Sequence, residues 1–297
     1  ALFCEAFATS TLFLHQAQSW HNTTGFFAFH SRLSITLKSW SHFFEITQKL
    51  SPLGGFAPYW SFRGQSDSSW SLNPSLSRIL KLNGINHPSN ACQIEKSLTR
   101  YFLTNNKHFE EFKNIELDKK EGKLILIWSF MQHYGAPTRL LDWTDSPMIG
   151  LYYAVESNWT KDGALYMVNN EEITQRSENK YGELNLEKDV DTNFSNSVFT
   201  MVTLQSTKRS YNQQGLFTVS HNPLIDHHEA IEELEIKSDS AYKLIIPKEL
   251  KVDLLKKLRS SNVKADILYP DAFGLGKELQ NLAVIRSNEI NMPDSQS

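Results

Sequence analysis

The sequence predicts an α+β domain, and three observations carry that expectation. Helical periodicities dominate the chain up to about residue 155, and short β-rich runs dominate after it. The 297 residues are 40% hydrophobic and 12% aromatic, enough for a sizeable core. No repeat and no clear inter-domain linker interrupts the pattern. Residues 34–285 therefore read as one domain, preceded by an extension at 1–33 and followed by a polar tail at 286–297.

The elements follow in order. In SITLKSWSHFFEITQKL, residues 34–50, Leu37, Trp40, Phe44 and, less regularly, Thr47 and Leu50 recur at three and four, predicting a helix with Ser34 as N-cap and a break at SPLGG. The stretch YWSFRGQSDSSWSLNPSLSR, residues 59–78, begins as a strand and ends in turn chemistry, and strand alternation turns Phe62 inward and Arg63 outward. A second helix is expected over about 90–113, with Ile94, Leu98, Tyr101, Phe102, Phe109 and Phe112 on roughly one face. A third spans about 118–134, stopped by Gly135 as C-cap and by Pro137. Ser146 and Pro147 read as the N-cap and first turn of a fourth, whose Met148, Leu151, Tyr152 and Val155 form an apolar stripe.

Beyond it GALYMV, SVFTMVTL, GLFTVS and AYKLIIP are β-rich runs bounded by turn residues, with a polar connector over 169–196. A last helix, KELKVDLLKKLRSSN, carries Leu250, Leu254, Leu255 and Leu258, and YPDAFGLGKELQNL precedes the tail.

Composition excludes several classes. Thirty basic against 33 acidic residues give a formal charge of −3, so no overall basic field advertises nucleic acid. Cys4 and Cys92 are the two cysteines, which excludes a disulfide scaffold and a cysteine-based zinc site and fits a reducing cytoplasm. The apolar stretches of residues 1–33 are interrupted well short of a membrane span, and Arg32 is their first basic residue. A Gly-x-Ser-x-Gly elbow, a Walker A loop, a Gly-x-Gly-x-x-Gly turn and a His-Glu-x-x-His helix are all missing. HHE at 227–229 reads as a solvated loop, and no metal is expected.

Three stretches are too polar and too aromatic for their neighbourhoods: SFRGQ, MQHYGAPTRLLDWTDSP and SYNQQGLF. Each has an ordinary structural explanation. Arg63 would pair with a carboxylate, His133 would be a satisfied core-edge histidine, Asp142 would be the ion-pair partner of Arg139, and Gln214 a turn residue. Taken together with LYPDAFGL near the end, the pattern FRGQ…W.L.PSL.R, QHYGAPTRLLDWTDSP and QQGLF resembles the FRG domain, named for the triplet Phe62-Arg63-Gly64. The likeness covers roughly residues 34–280.

The order of elements is also similar to an ADP-ribosyltransferase-like arrangement, which implies a split β-sheet core with N-terminal and peripheral helices around one NAD cleft. In it a strand-end Arg63 comes first, Thr144-Asp145-Ser146 entering a helix second, and QQGLF third. The resemblance implies catalytic roles for Arg63, His133, Asp142 and Gln214. It implies NAD contacts from Arg63, Gly64, Gln65, Tyr134, Thr138, Arg139, Trp143, Thr144 and Ser146. A guanidinium can grip a diphosphate bidentately while Gly64 lets the ligand approach; Tyr134 and Trp143 would stack the departing ring. Where such a site ordinarily has a glutamate, this chain has Gln213-Gln214-Gly215, so Asp142 is the best acidic candidate. The implied function is an NAD-dependent ADP-ribosyltransferase acting as a toxin or anti-phage defence effector on RNA or protein, with a cognate antitoxin or inhibitor and no membrane. The other reading is a non-catalytic nucleotide- or RNA-binding module of the same fold.

Overall fold

Strand β4 (Gly163–Asn169) is the axis of the fold, because its first six residues, GALYMV, are all buried. A strand apolar on both faces has to lie inside a sheet covered on both sides. The computed structural model, which describes residues 34–50, 60–109, 123–186, 192–201 and 208–291, shows that arrangement. β4 pairs antiparallel with β2 (Trp60–Gln65) on one edge and β7 (Ala241–Ile246) on the other. Beyond β7 lies β1 (Ser34–Thr36), in parallel. Beyond β2 come β3 (Leu141–Thr144), β6 (Gly215–Val219) and β5 (Phe199–Met201), all antiparallel. The seven-stranded order is β1-β7-β4-β2-β3-β6-β5.

Among the described residues eleven α-helices surround this sheet: α1 (Trp40–Leu50), α2 (Ser75–Leu82), α3 (Pro88–Asn105), α4 (Lys123–His133), α5 (Pro147–Val155), α6 (Asn170–Tyr181), α7 (Lys208–Asn212), α8 (His227–Glu233), α9 (Lys248–Ser260), α10 (Ala265–Leu268) and α11 (Ala272–Asn291). Alternation along the strands sorts the core. Phe62, Leu165, Met167 and Leu244 pack on one face against Phe43 of α1, Leu151 of α5 and Leu254 of α9. Trp143, Tyr166, Val168 and Leu216 pack on the other against Ile173 of α6 and Ile231 of α8. A further cluster joins Trp128 and Met131 of α4 to Leu140 and Val219. The α+β class is as expected from the sequence.

α5 lies directly on β2 because two glycines meet there. A Cβ on Gly64 would stand 1.9 Å from the Gly150 carbonyl oxygen, and one on Gly150 would stand 2.9 Å from the Phe62 Cβ. Ser146 caps α5, its hydroxyl accepting from the Ile149 N–H at 3.4 Å, with Pro147 in the first turn, as the sequence indicates. Gly135 ends α4 with φ of 87°.

Several elements depart from expectation. Ser34 does not cap a helix; Ser34–Thr36 adds to the sheet edge, and α1 starts at Trp40 with the Ser39 hydroxyl accepting from the His42 N–H at 3.1 Å. Its buried residues are accordingly Phe43 and Ile46, while Phe44 is exposed. α3 ends at Asn105 and buries Ala91, Cys92, Glu95 and Thr99, a polar face drawn inward by an ion pair described below; Tyr101 is exposed. The polar connector holds α6, whose cap Asn169 accepts from the Glu172 N–H at 3.0 Å, and Glu172 pairs with Arg176 one turn on. HHE is no solvated loop: His227 and His228 are buried at the start of α8, capped by Asp226. α11 continues to Asn291, through the start of the expected polar tail. The extension at 1–33, the SPLGG break, residues 110–122 and the last six residues lie outside the described residues.

Candidate functional site

The sheet is incompletely zipped at its centre. β2 shares six register pairs with β4, and β3 shares four with β6, but β2 and β3 share the single pair Phe62↔Thr144. One residue beyond that pair the strands part, and Arg63 fills the gap. Its Nη1 donates to the Asp142 carbonyl oxygen at 2.6 Å, so a side chain replaces the missing ladder bond. Arg63 stands mid-strand opposite Tyr166, not at the strand end. Tyr153 of α5 and Tyr166 of β4, from opposite sides of the sheet, both act on its charge.

Burial pulls the Arg63 pKa below its ordinary value, against the partial offset of the Asp142 carboxylate, yet an arginine stays charged. Its Nε is buried with no hydrogen-bond partner among the described residues, and no ion pair neutralises it there. Arg63 itself is half-buried, and a partly desolvated cation without an ion pair is costly unless something else balances it.

The gap opens into a cleft of about 270 Å³. Its walls include Phe62, Arg63 and Gly64 of β2, Asp142, Trp143 and Thr144 of β3, His133 of α4, Tyr153 of α5, Arg209 of α7, Gln213, Phe217 of β6, and Tyr269. Two arginines and a histidine thus face one carboxylate, Asp142, among aromatic rings. The His133 imidazole is held below its usual pKa, first by burial and then by the Arg209 charge, with Asp271 opposing. Arg209 lies over the Tyr269 ring at 4.6 Å. The Tyr269 and Tyr153 phenols are both pushed up by burial, and the two rings meet edge-on with centroids 6.4 Å apart.

The structure brings Arg63, Gly64, His133, Asp142, Trp143 and Thr144 to this cleft and leaves others outside its walls. Gly64, besides lining the cleft, makes the close contact with α5. Trp143 is core: its Nε1–H donates to Thr218 Oγ1 at 2.9 Å, and that hydroxyl lies 2.8 Å from Nδ1 of His227. Thr144 Oγ1 donates to the Gln213 carbonyl oxygen at 2.8 Å, tying β3 to the turn before β6.

Arg139 pairs with Glu95, not Asp142. Its Nε donates to both Glu95 oxygens at 2.9 and 3.0 Å and Nη2 also meets Glu95, while Nη1 bonds the Ser220 and His221 carbonyls. At 1% exposure it braces α3 to β3 and has no access to the cleft. Thr138 is fully buried and bonds Gln132 and Ser75. Gln65 is buried, donating to the Ser71 carbonyl at 3.0 Å. Tyr134 is exposed with its ring edge-on to His133, and Ser146 is occupied as a cap. Gln214 is exposed in a left-handed turn, φ 47°, and it is Gln213 that lines the cleft. A Cβ on Gly215 would make only an ordinary 3.7 Å contact, so no close approach requires that glycine.

Sequence reasoning missed Arg209, Tyr153 and Tyr269. Arg209 stands one residue before SYNQQGLF, Tyr153 is in the helix after the middle motif, and Tyr269 is the tyrosine of LYPDAFGL. All three were within or beside quoted motifs, where polarity or aromatic content was the available signal.

Among the described residues no group of three His, Cys, Asp or Glu could hold a metal ion, and no helix is long and apolar enough to cross a membrane. No curated protein and no solved structure matches the chain. Residues 58–163 match the FRG domain model, a span that opens just before β2 and closes at the first residue of β4. That span, similar to the FRG domain, supplies Arg63, His133, Asp142 and Tyr153 to the cleft.

Proposed function

We propose that the cleft binds NAD and that the chain is an ADP-ribosyltransferase, with an ADP-ribosyltransferase-like role for the split sheet. The observation that carries this reading is Arg63: a half-buried guanidinium in the sheet gap, without an ion pair among the described residues and with its Nε–H unbonded, beside Asp142, the one carboxylate that the described residues bring to the cleft wall. A nucleotide diphosphate would supply the missing anion and the bidentate acceptor.

The chemistry follows from the wall residues. The bond between ribose C1′ and the nicotinamide nitrogen breaks, its electron pair leaving with nicotinamide. The sugar becomes oxocarbenium-like, and a carboxylate beside it lowers that barrier. Asp142 fills this place. A nucleophile on the acceptor then bonds to C1′ and loses its proton. His133, kept neutral at neutral pH by burial and by Arg209, can accept it. The acceptor is a macromolecule, RNA or protein, and the biological setting of a toxin or anti-phage effector in the cytoplasm, opposed by an antitoxin, belongs to this same reading.

One observation favours a second reading, the nucleotide- or RNA-binding module. Gln213, the cleft residue of the third motif, is a neutral amide already donating to the Leu268 carbonyl at 3.1 Å. The two are separated by incubating the protein with adenylate-labelled NAD and cell extract. Label on a macromolecule supports the transferase; NAD binding with no label transferred in any extract leaves the module.

A further inference from the structure

Arg209 is a second cation of the cleft, and its surroundings show why it is there. It carries no salt bridge among the described residues. What holds it is Tyr269, whose ring lies 4.6 Å from the guanidinium carbon. Stacking fixes the plane of a guanidinium without neutralising it and without consuming its N–H donors. Tyr269 is itself fixed: its ring meets those of Tyr153 and Phe273 edge-on, at 6.4 and 5.5 Å, and Lys277 sits 5.2 Å from its ring centroid, anchored by Glu156 at 2.7 Å.

Helix α7, which carries Arg209, is pinned to the same neighbourhood at its C-terminal end. The Asn212 and Gln213 side chains donate to the Ile267 and Leu268 carbonyls at 2.6 and 3.1 Å. Arg63 lines the same cleft from β2, with its Nε–H unbonded. Two positive forks on separate, rigid elements thus converge on one cleft, each set by a contact that leaves donors available.

We propose that Arg63 and Arg209 form a two-jawed clamp for a diphosphate, and that Tyr269 is a positioning residue for the second jaw. The cleft therefore selects ligands with two linked phosphates over those with one. This deepens the NAD reading but does not require catalysis, because the clamp would serve any nucleoside diphosphate derivative.

The test is calorimetric titration of the full chain with inorganic pyrophosphate and with inorganic phosphate. Pyrophosphate should bind at least about tenfold tighter than phosphate, since it alone engages both forks. Arg209→Gln should lose about tenfold or more of the pyrophosphate affinity and little of the phosphate affinity, and Arg209→Lys several-fold, because a point charge replaces a fork. Tyr269→Leu should fall to the level of Arg209→Gln, and Tyr269→Phe, which keeps the ring, should retain several-fold more of the pyrophosphate affinity than Tyr269→Leu. Equal binding of the two anions by the parent would overturn the clamp, as would an Arg209→Gln or Arg209→Lys protein that binds pyrophosphate within twofold of the parent. A pyrophosphate-selective parent that never cleaves NAD would keep the clamp and remove the transferase; a cleaving parent indifferent to Arg209 would do the reverse.

Discussion

Arg63 and Gly64 are adjacent and do unrelated things, which makes single substitutions informative. Arg63→Lys keeps a charge that can reach the gap but loses the planar fork, so NAD binding should weaken about tenfold or more while the protein still unfolds cooperatively, as titration and denaturant melts would report. Unchanged affinity would remove Arg63 from the ligand. Gly64→Ala drives a methyl into the Gly150 carbonyl, 1.9 Å away, so it should cost roughly 1–3 kcal/mol or more of stability by overpacking. A second pair separates two candidates for the electrostatic role. Gln214 is exposed in its turn and outside the cleft wall, whereas Asp142 is part of that wall. Gln214→Ala should leave NAD turnover within about twofold, and Asp142→Asn should lower it about a hundredfold, a loss typical of removing one electrostatic stabiliser. The opposite ranking would return the role to the third motif.

At the scale of elements, the brace between α3 and β3 is the plainest dependency. Arg139→Ala leaves Glu95 buried and unpaired, so urea denaturation should show a loss of about 3–5 kcal/mol. Replacing both partners by apolar residues should recover part of it; a double variant as unstable as the single one would contradict that account. The same brace explains what was legible in the sequence. Apolar runs and capping chemistry marked β4, β6, β7, α5 and α9, because those signals are local. α3 was found, but its buried face was misread, since Glu95 and Thr99 turn inward only for partners distant in the chain, Arg139 and Trp128. α6 has a single buried apolar residue, Ile173, and so shows no stripe; its Asn169 cap and Glu172–Arg176 pair were the readable signals. For the site, Arg63, His133 and Asp142 stood out as polar residues in aromatic surroundings. Arg209 and Tyr269 did not, because their contact joins residues 60 apart and only the fold shows it.

The whole molecule carries a pH dependence rooted below the cleft. His227 is held down to about 3 by burial and by the charges of Arg63 and Arg139, against an ordinary 6.5. The folded state therefore keeps this imidazole neutral in a range where the unfolded chain binds a proton. Stability rises with pH between about 3 and 6.5, is complete above that window and is lost on acidification through it. Near pH 5 the slope should approach about 1.4 kcal/mol per pH unit from this group, and His227→Gln should flatten it, as melts across pH 4–7 would show. The same architecture that buries His227 sets Arg63 in the unzipped centre of the sheet, which is where the functional reading rests. The most direct measurement is chromatographic quantitation of nicotinamide released from NAD by the full chain, with and without cell extract, for the parent, Arg63→Lys and Asp142→Asn. Release by the parent that falls sharply in both variants, with their folds intact, is the predicted result. No release by the parent under any of these conditions, or equal release by all three proteins, would contradict it.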